Sequence, residues 1–299
     1  MKSTSVRRVG LSIAVVAALT GMAACTGSDS GQDSRDDGKA AGKAATRVSP
    51  IAALRSVETT TDKADSAKVE ATTTMGSMMS MKADGALGWA DGLTGNLTIT
   101  YTGGTMADTM RQMGSTSMEA RYLPDAYYAK MGDKFAEQSG GKHWIKYAYD
   151  DLADLAGGSG AYLKDQMQNT TPNQSVKLLL ASGDVRKVGE ETVRGVNTTH
   201  YSGTVDVADL AVRNSSLSEA QLADLKRQLE QAGITTETVD IWVDDDDLLV
   251  KKVEKGEMAS GSMSSTAYYS DYGVEVSAEE PPAADTADFK DLVGQQPSA

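Results

Sequence analysis

Period-two alternation of apolar and polar residues recurs along the middle of the chain and predicts β-strands. In the first such segment, Val69, Ala71 and Met75 alternate with Glu70 and other polar residues. The same pattern is found in residues 97–101, 120–122, 126–131, 144–147, 190–193, 199–205, 239–243, 248–253 and 265–269. These strands are short and numerous, which is typical of an antiparallel sheet with one buried face.

Four stretches carry helix signals. The first begins at Ser49-Pro50, a capping residue followed by proline at the first helical position, with Ile51, Leu54 and Val57 on one face. The others are residues 150–168, interrupted by glycines within 157–160, a segment that begins at 171, and a segment that begins with a capping box at 218 and ends at 233. Because these helices are grouped between runs of strands, we expect an α+β fold with helices on one face of the sheet.

The two ends of the chain carry no such periodicity. Residues 1–24 have a basic start and a short apolar stretch at 11–19, which indicates a signal peptide, since a membrane span needs about 20 apolar residues. Cys25 follows Met22-Ala-Ala in a sequence that resembles a lipobox, so we expect it to be lipidated. Residues 25–46 then predict a disordered tether, and residues 283–299 a flexible tail after a domain at 47–282.

Composition removes several classes of protein. The 299 residues include 29 Lys and Arg against 42 Asp and Glu, and a net charge of −13 argues against a nucleic-acid partner. One Cys and two His leave no basis for a disulfide framework or a Cys/His metal site. No nucleophile elbow or phosphate loop is present, so the sequence predicts neither an enzyme nor a cofactor.

Four groups of residues, taken in order behind the lipobox, resemble the LppX/LprG lipoproteins of the LolA-like superfamily. They are residues 127–131 followed by 142–146, residues 193–206, residues 239–251, and residues 268–273 with Pro281 soon after. The resemblance covers about residues 48–282. One departure is Asp247, which stands where the family often has Gly before a Leu; Asp tolerates a positive φ better than most residues.

The resemblance implies a strongly curved antiparallel sheet, a half-barrel, wrapped around helices and enclosing an apolar core or cavity. It also implies binding of a lipid, glycolipid or acyl chain, attachment to the cell membrane on its extracytoplasmic face, and a role in envelope lipid transport. The alternative is a non-catalytic interaction or sensor protein with a filled core and a membrane-protein partner. The apolar faces of the predicted strands and helices allow both a cavity and a filled core.

The apolar residues of these strands and helices are the candidate walls of a lipid cavity. They are Leu97, Ile99, Tyr101, Leu178, Leu179, Leu222, Leu225, Ile241 and Val243. Nine of the fourteen methionines lie between Met75 and Met131, and their thioethers suit core filling, an adaptable cavity wall or a Cu(I) site. Four consecutive carboxylates at 244–247 lie between two predicted strands, which favours a solvated hairpin turn over a calcium loop.

Overall fold

The computed structural model describes residues 49–155, 171–206 and 235–294, together with the single residues 164, 167, 227 and 233. The helices are α1 Pro50–Lys63, α2 Gly104–Gln112, α3 Asp133–Gln138, α4 Tyr149–Leu155, α5 Pro172–Ala181 and α6 Phe289–Gly294. The strands are β1 Ser66–Met75, β2 Met79–Gly88, β3 Thr94–Gly103, β4 Ser117–Tyr122, β5 Ala126–Lys130, β6 Trp144–Ala148, β7 Arg186–Val193, β8 Val196–Asp206, β9 Thr236–Val243, β10 Leu249–Met258, β11 Gly261–Ser270 and β12 Thr286–Asp288. The helix predicted from residue 218 lies outside the described residues.

The strands form a single open sheet in the order β12-β6-β5-β4-β3-β2-β1-β11-β10-β9-β8-β7. All pairs are antiparallel except β12 and β6, which run parallel. Helix α5 packs against β8, β9 and β10, and α1 packs against α5. We call the face of the sheet under these helices the inner face. The predicted α+β class and antiparallel sheet are therefore confirmed, and the sheet is open, with one parallel pair at its edge.

Helix α1 begins as its sequence predicts. Ser49 caps the helix by accepting a hydrogen bond from the backbone N–H of Ala52 at 3.2 Å, and Pro50 occupies the first helical position. Leu54 and Val57 are buried, but Ile51 is 43% exposed, so the predicted apolar face is narrower than expected. Strand β2 was not among the predicted strands, although its inner positions Met81, Ala83, Gly85 and Leu87 alternate with polar or small residues.

The carboxylate-rich segment between β9 and β10 is a tight turn, as the sequence predicts. Asp247 has a φ of 60°, the conformation that a glycine would adopt most easily. The side chain of Asp244 stabilises the turn by accepting hydrogen bonds from the backbone N–H groups of Asp246 at 3.0 Å and Leu248 at 2.8 Å. Aspartate side chains commonly stabilise turns in this way.

The prediction of a flexible tail from residue 283 is wrong for residues 283–294. The side chain of Asp285 accepts a hydrogen bond from the backbone N–H of His143 at 2.8 Å. Its Oδ1 also lies 2.7 Å from Nδ1 of the His143 ring. These contacts place β12 beside β6, and Phe289 then packs against Tyr147 with ring centroids 4.7 Å apart. The local sequence is polar and gives no sign of this pairing, because its partner lies about 140 residues away.

Upstream of β12, residues 274–282 cross the face of the sheet opposite the helices. Side chains of three strands hold this segment through its backbone carbonyls: Ser66 donates to Val274 at 2.6 Å, Asn96 to Ser277 at 2.7 Å and Arg121 to Glu279 at 3.0 Å. No helix within the described ranges is long and apolar enough to cross a membrane.

Candidate functional site

A strip of tyrosines lines the inner face of β3, β4, β5 and β6. The antiparallel register places Tyr122 opposite Tyr127 and Tyr127 opposite Tyr147. Their ring centroids lie 5.0 Å and 5.7 Å apart, within the range of favourable aromatic contacts. Tyr101 lies on the same face of β3, since the alternation of this strand puts Leu97, Ile99 and Tyr101 on one side. We call these four residues the tyrosine strip.

The tyrosine strip is deep in the protein and yet remains partly exposed. Burial raises the pKa of Tyr122 and of Tyr147 to about 12 and that of Tyr127 well above its ordinary value, so all three hydroxyls are neutral at physiological pH. None of the four side chains of the strip is fully covered. This part of the inner face is therefore less covered than a closed core, and we call the partly accessible surface around these four side chains the recess.

Methionines border the tyrosine strip. Met81, Met113 and Met131 are partly exposed and pack against the same apolar cluster, whereas Met110 and Met118 are buried within it. Thioether side chains are flexible and polarizable, so they can adapt to an apolar guest of variable shape. Met75 pairs with Met79 and Met263 across the sheet. Among the described residues no group of three or more His, Cys, Asp or Glu could hold a metal ion.

The other half of the inner face is packed. On β8, β9 and β10 the inward side chains are almost completely buried under helix α5, with Ile241 at 0% and Val243 at 3% exposure. Leu178 and Leu179 of α5 are also at 0%. The apolar side chains of this half therefore form a filled core and leave no surface for an acyl chain.

The predicted cavity residues therefore divide into three groups. Leu97 and Ile99, which are buried, and Tyr101, which is partly exposed, lie beside the tyrosine strip. Leu178, Leu179, Ile241 and Val243 belong to the same apolar cluster but lie in its packed half. Leu222 and Leu225 lie outside the described residues.

Sequence reasoning missed Tyr122, Tyr127 and Tyr147 as members of the site. The alternation of β4, β5 and β6 could have placed them on one face, but only if the register between the strands were known. The two histidines have structural partners: His143 is paired with Asp285, and Nε2 of His200 lies 2.8 Å from Oδ1 of Asp240. His200 also stacks on Trp242 with ring centroids 4.2 Å apart.

Fold and site together define an α+β protein whose open antiparallel sheet offers a packed half and a partly exposed, aromatic half. No protein-family model matches the chain. A "Putative lipoprotein" of Streptomyces coelicolor is 55% identical over the whole of both chains. A 31.2 kDa protein of Streptomyces griseus is 63% identical over 83% of this chain and 82% of its own length. The chain belongs to the family of these two Streptomyces proteins, and the lipoprotein name of one of them points to an extracytoplasmic, membrane-anchored protein.

Two solved structures are similar in fold at low identity. The lipoprotein LppX of Mycobacterium tuberculosis matches with a TM-score of 0.47 and 16% identity, over 77% of this chain and 98% of LppX. LprF of Mycobacterium bovis matches with a TM-score of 0.45 and 15% identity, over 78% of this chain and 96% of LprF. LppX belongs to the group that the sequence motifs resemble.

Proposed function

We propose that this protein is a non-catalytic, membrane-anchored carrier that binds the acyl chains of a lipid, glycolipid or lipid-linked molecule. The observation that carries the proposal is the tyrosine strip, which is deep, apolar, uncharged and still partly exposed. Each buried CH₂ group of a ligand contributes about 0.8 kcal/mol, so an acyl chain laid along this strip would bind without any charged partner. The neighbouring methionines would adapt to chains of different length.

Cys25 would hold the domain at the outer face of the cell membrane. In this arrangement residues 1–24 are removed, Cys25 carries the lipid anchor, and residues 25–46 form the tether. A flexible tether of this length spans about 25 Å on average, enough to bring the recess near the membrane surface. An anchored domain of this kind could take a lipid from the membrane and pass it to another envelope component.

The experiment is native mass spectrometry of the full chain carrying Cys25→Ser, produced in a lipid-containing host and followed by solvent extraction. Adducts that resolve into acyl-bearing species support the carrier. A single clean mass that is unchanged after incubation with native membrane extract contradicts it.

A matched pair of variants on β3 locates the binding surface. Tyr101 faces the recess, whereas its neighbour Thr102 is exposed on the opposite face. Tyr101→Asp should lower the lipid-bound fraction at least tenfold, since it places a charge where an acyl chain lies. Thr102→Asp should leave the bound fraction unchanged. Circular dichroism shows whether both variants keep the sheet.

A second candidate is an interaction or sensor protein with a filled core that acts on a membrane-protein partner. The observation that favours it is the packed half of the inner face, where Ile241, Leu178 and Leu179 are completely buried. This candidate predicts the clean mass and no effect of either β3 variant on lipid content.

A further inference from the structure

A polar cluster interrupts the packed half of the inner face. Strand β10 points Lys252 and Glu254 inward, beside Ile241 and Val239 of β9. Lys252 Nζ donates to both carboxylate oxygens of Glu254, at 3.0 Å and 3.2 Å. From the helix above, Ser175 donates its hydroxyl to Glu254 at 2.6 Å.

Glu237 completes this cluster and has an unsatisfied oxygen. It lies on the same face of β9, opposite Gly256, and is only 3% exposed. Within the described part of the chain, its buried Oε1 has no hydrogen-bond partner. Burial and the charge of Glu254 raise the pKa of Glu237 well above its ordinary value, and Lys252 acts in the opposite direction. Glu237 therefore holds its proton to a higher pH than an ordinary glutamate does.

The charges of the cluster determine which ligand group would fit. Lys252 and Glu254 form an ion pair, and burial disfavours the charged form of Glu237. An ammonium group would face Lys252, and an anion would face Glu254; each would meet a like charge at close range. An alcohol hydroxyl is neutral and can both donate and accept a hydrogen bond.

Two groups of the cluster are available to such a hydroxyl. Glu237 Oε1 needs a donor, because a buried oxygen without a hydrogen-bond partner is destabilising. Lys252 has three N–H donors and makes two contacts with the carboxylate of Glu254. The Lys252 side chain is 15% exposed. The ammonium can therefore donate to a group that enters from the accessible side.

We propose that Glu237 and Lys252, held by Glu254 and Ser175, form a polar subsite that receives an alcohol hydroxyl of the bound lipid. This inference rests on the proposed carrier function and adds selectivity to it: lipids that carry a free hydroxyl are preferred over lipids that do not.

Native mass spectrometry in competition tests the subsite. The full chain carrying Cys25→Ser is mixed with equal amounts of 1,2-dipalmitoylglycerol and its 3-O-methyl ether, which differ only in the free hydroxyl. We expect at least a tenfold preference for the alcohol. A third probe, a monoglucosyl dipalmitoylglycerol, carries its free hydroxyls on a sugar. Tighter binding of this probe than of 1,2-dipalmitoylglycerol would show that the subsite takes a sugar hydroxyl, and weaker binding would show that it takes the glycerol hydroxyl.

Variants of β9 assign the preference to Glu237. Glu237→Leu should bind both lipids equally, and Glu237→Gln, which keeps a donor and an acceptor, should retain the preference. Thr238→Val, on the opposite face of the same strand, should behave as the parent chain. Equal binding of the two lipids by the parent chain would overturn the subsite and leave the carrier intact. Binding of neither would overturn both.

Discussion

Ser56 of helix α1 donates its hydroxyl to Oδ2 of Asp247 in the β9–β10 turn, at 2.5 Å and across 191 residues of sequence. Asp247 holds a φ of 60°, where glycine would be free of strain. The contact explains why an aspartate can occupy this position: it ties the turn to α1, whereas a glycine has no side chain to do so. The favourable hydrogen bond offsets part of the cost of the backbone conformation.

The first prediction concerns this pair. Ser56→Ala should lower the free energy of unfolding by about 0.5–1 kcal/mol, because an exposed hydrogen bond is lost. Asp247→Gly should be nearly neutral in the parent chain, since it relieves strain and removes the bond together. In the Ser56→Ala background, Asp247→Gly should raise the free energy of unfolding by about 1 kcal/mol. The hydrogen bond is already absent there, so the substitution only removes the backbone strain. Urea denaturation of the four chains measures the coupling; additive effects would contradict it.

The second prediction separates the packed half from the recess. Ile241→Ala should cost about 2–5 kcal/mol of stability, because Ile241 is completely buried and its neighbours cannot fill the space. The folded fraction should still bind lipid. The control Thr204→Ala, an exposed position on β8, should change stability by about 0.5 kcal/mol or less. Loss of lipid binding by a fully folded Ile241→Ala chain would place the acyl chain in the packed half instead.

The third prediction is a pH dependence that arises from Glu237. Its native pKa lies well above the ordinary value of 4.5, so above pH 4.5 the unfolded chain loses this proton while the native chain keeps it. Glu237 therefore lowers stability progressively as the pH rises from 4.5 toward its raised pKa. Glu237→Gln should stabilise the protein at pH 7 and have little effect at pH 4.

Urea denaturation at several pH values tests this difference, with Glu257→Gln, an exposed position on β10, as the control. A stability difference between the Glu237→Gln and parent chains that stays constant from pH 4 to pH 8 would show that Glu237 ionises normally.

The fourth prediction concerns the attachment of β12. Hydrogen bonds from His143 lower the pKa of Asp285, so its contribution to stability is present above the ordinary value of 3.8 and is lost as the pH falls through the lowered pKa. Asp285→Ala should speed hydrogen exchange at residues 286–288 at neutral pH, since β12 loses its link to His143. Asp291→Ala, an exposed change in α6, should leave these amides protected. Equal exchange in the Asp285→Ala and parent chains would mean that the pairing with β6 alone holds β12.

The fifth prediction concerns the anchor. Cys25→Ser should move the protein from the membrane fraction to the soluble fraction, because two or more acyl chains are needed for stable attachment and this Cys is the only one in the chain. Immunoblotting of fractionated cells of the native host measures the change, and Ser28→Ala serves as the control. Membrane retention of the Cys25→Ser chain would point to a protein partner instead.

Much of the fold could be predicted from local pattern. Alternation identified segments in ten of the strands, as in Val239, Ile241 and Val243, because a strand with one buried face must repeat every two residues. Ser49-Pro50 located the start of α1, and the carboxylates at 244–247 located a turn. Strand β12 escaped prediction because it is only three residues long and is held by β6 and His143, which are distant in sequence.

The sequence by itself determined which residues share a face, since the position of each side chain follows from the backbone period. Only the tertiary structure decided what covers that face. Ile241 and Tyr127 are both inward residues of alternating strands, but α5 buries the first while the second stays partly open. Likewise, the pattern puts Lys252 and Glu254 on the side opposite Lys251, but the hydrogen bond that Glu254 accepts from Ser175 depends on α5. Burial is a property of packing between distant segments, and local sequence carries no record of which segments meet.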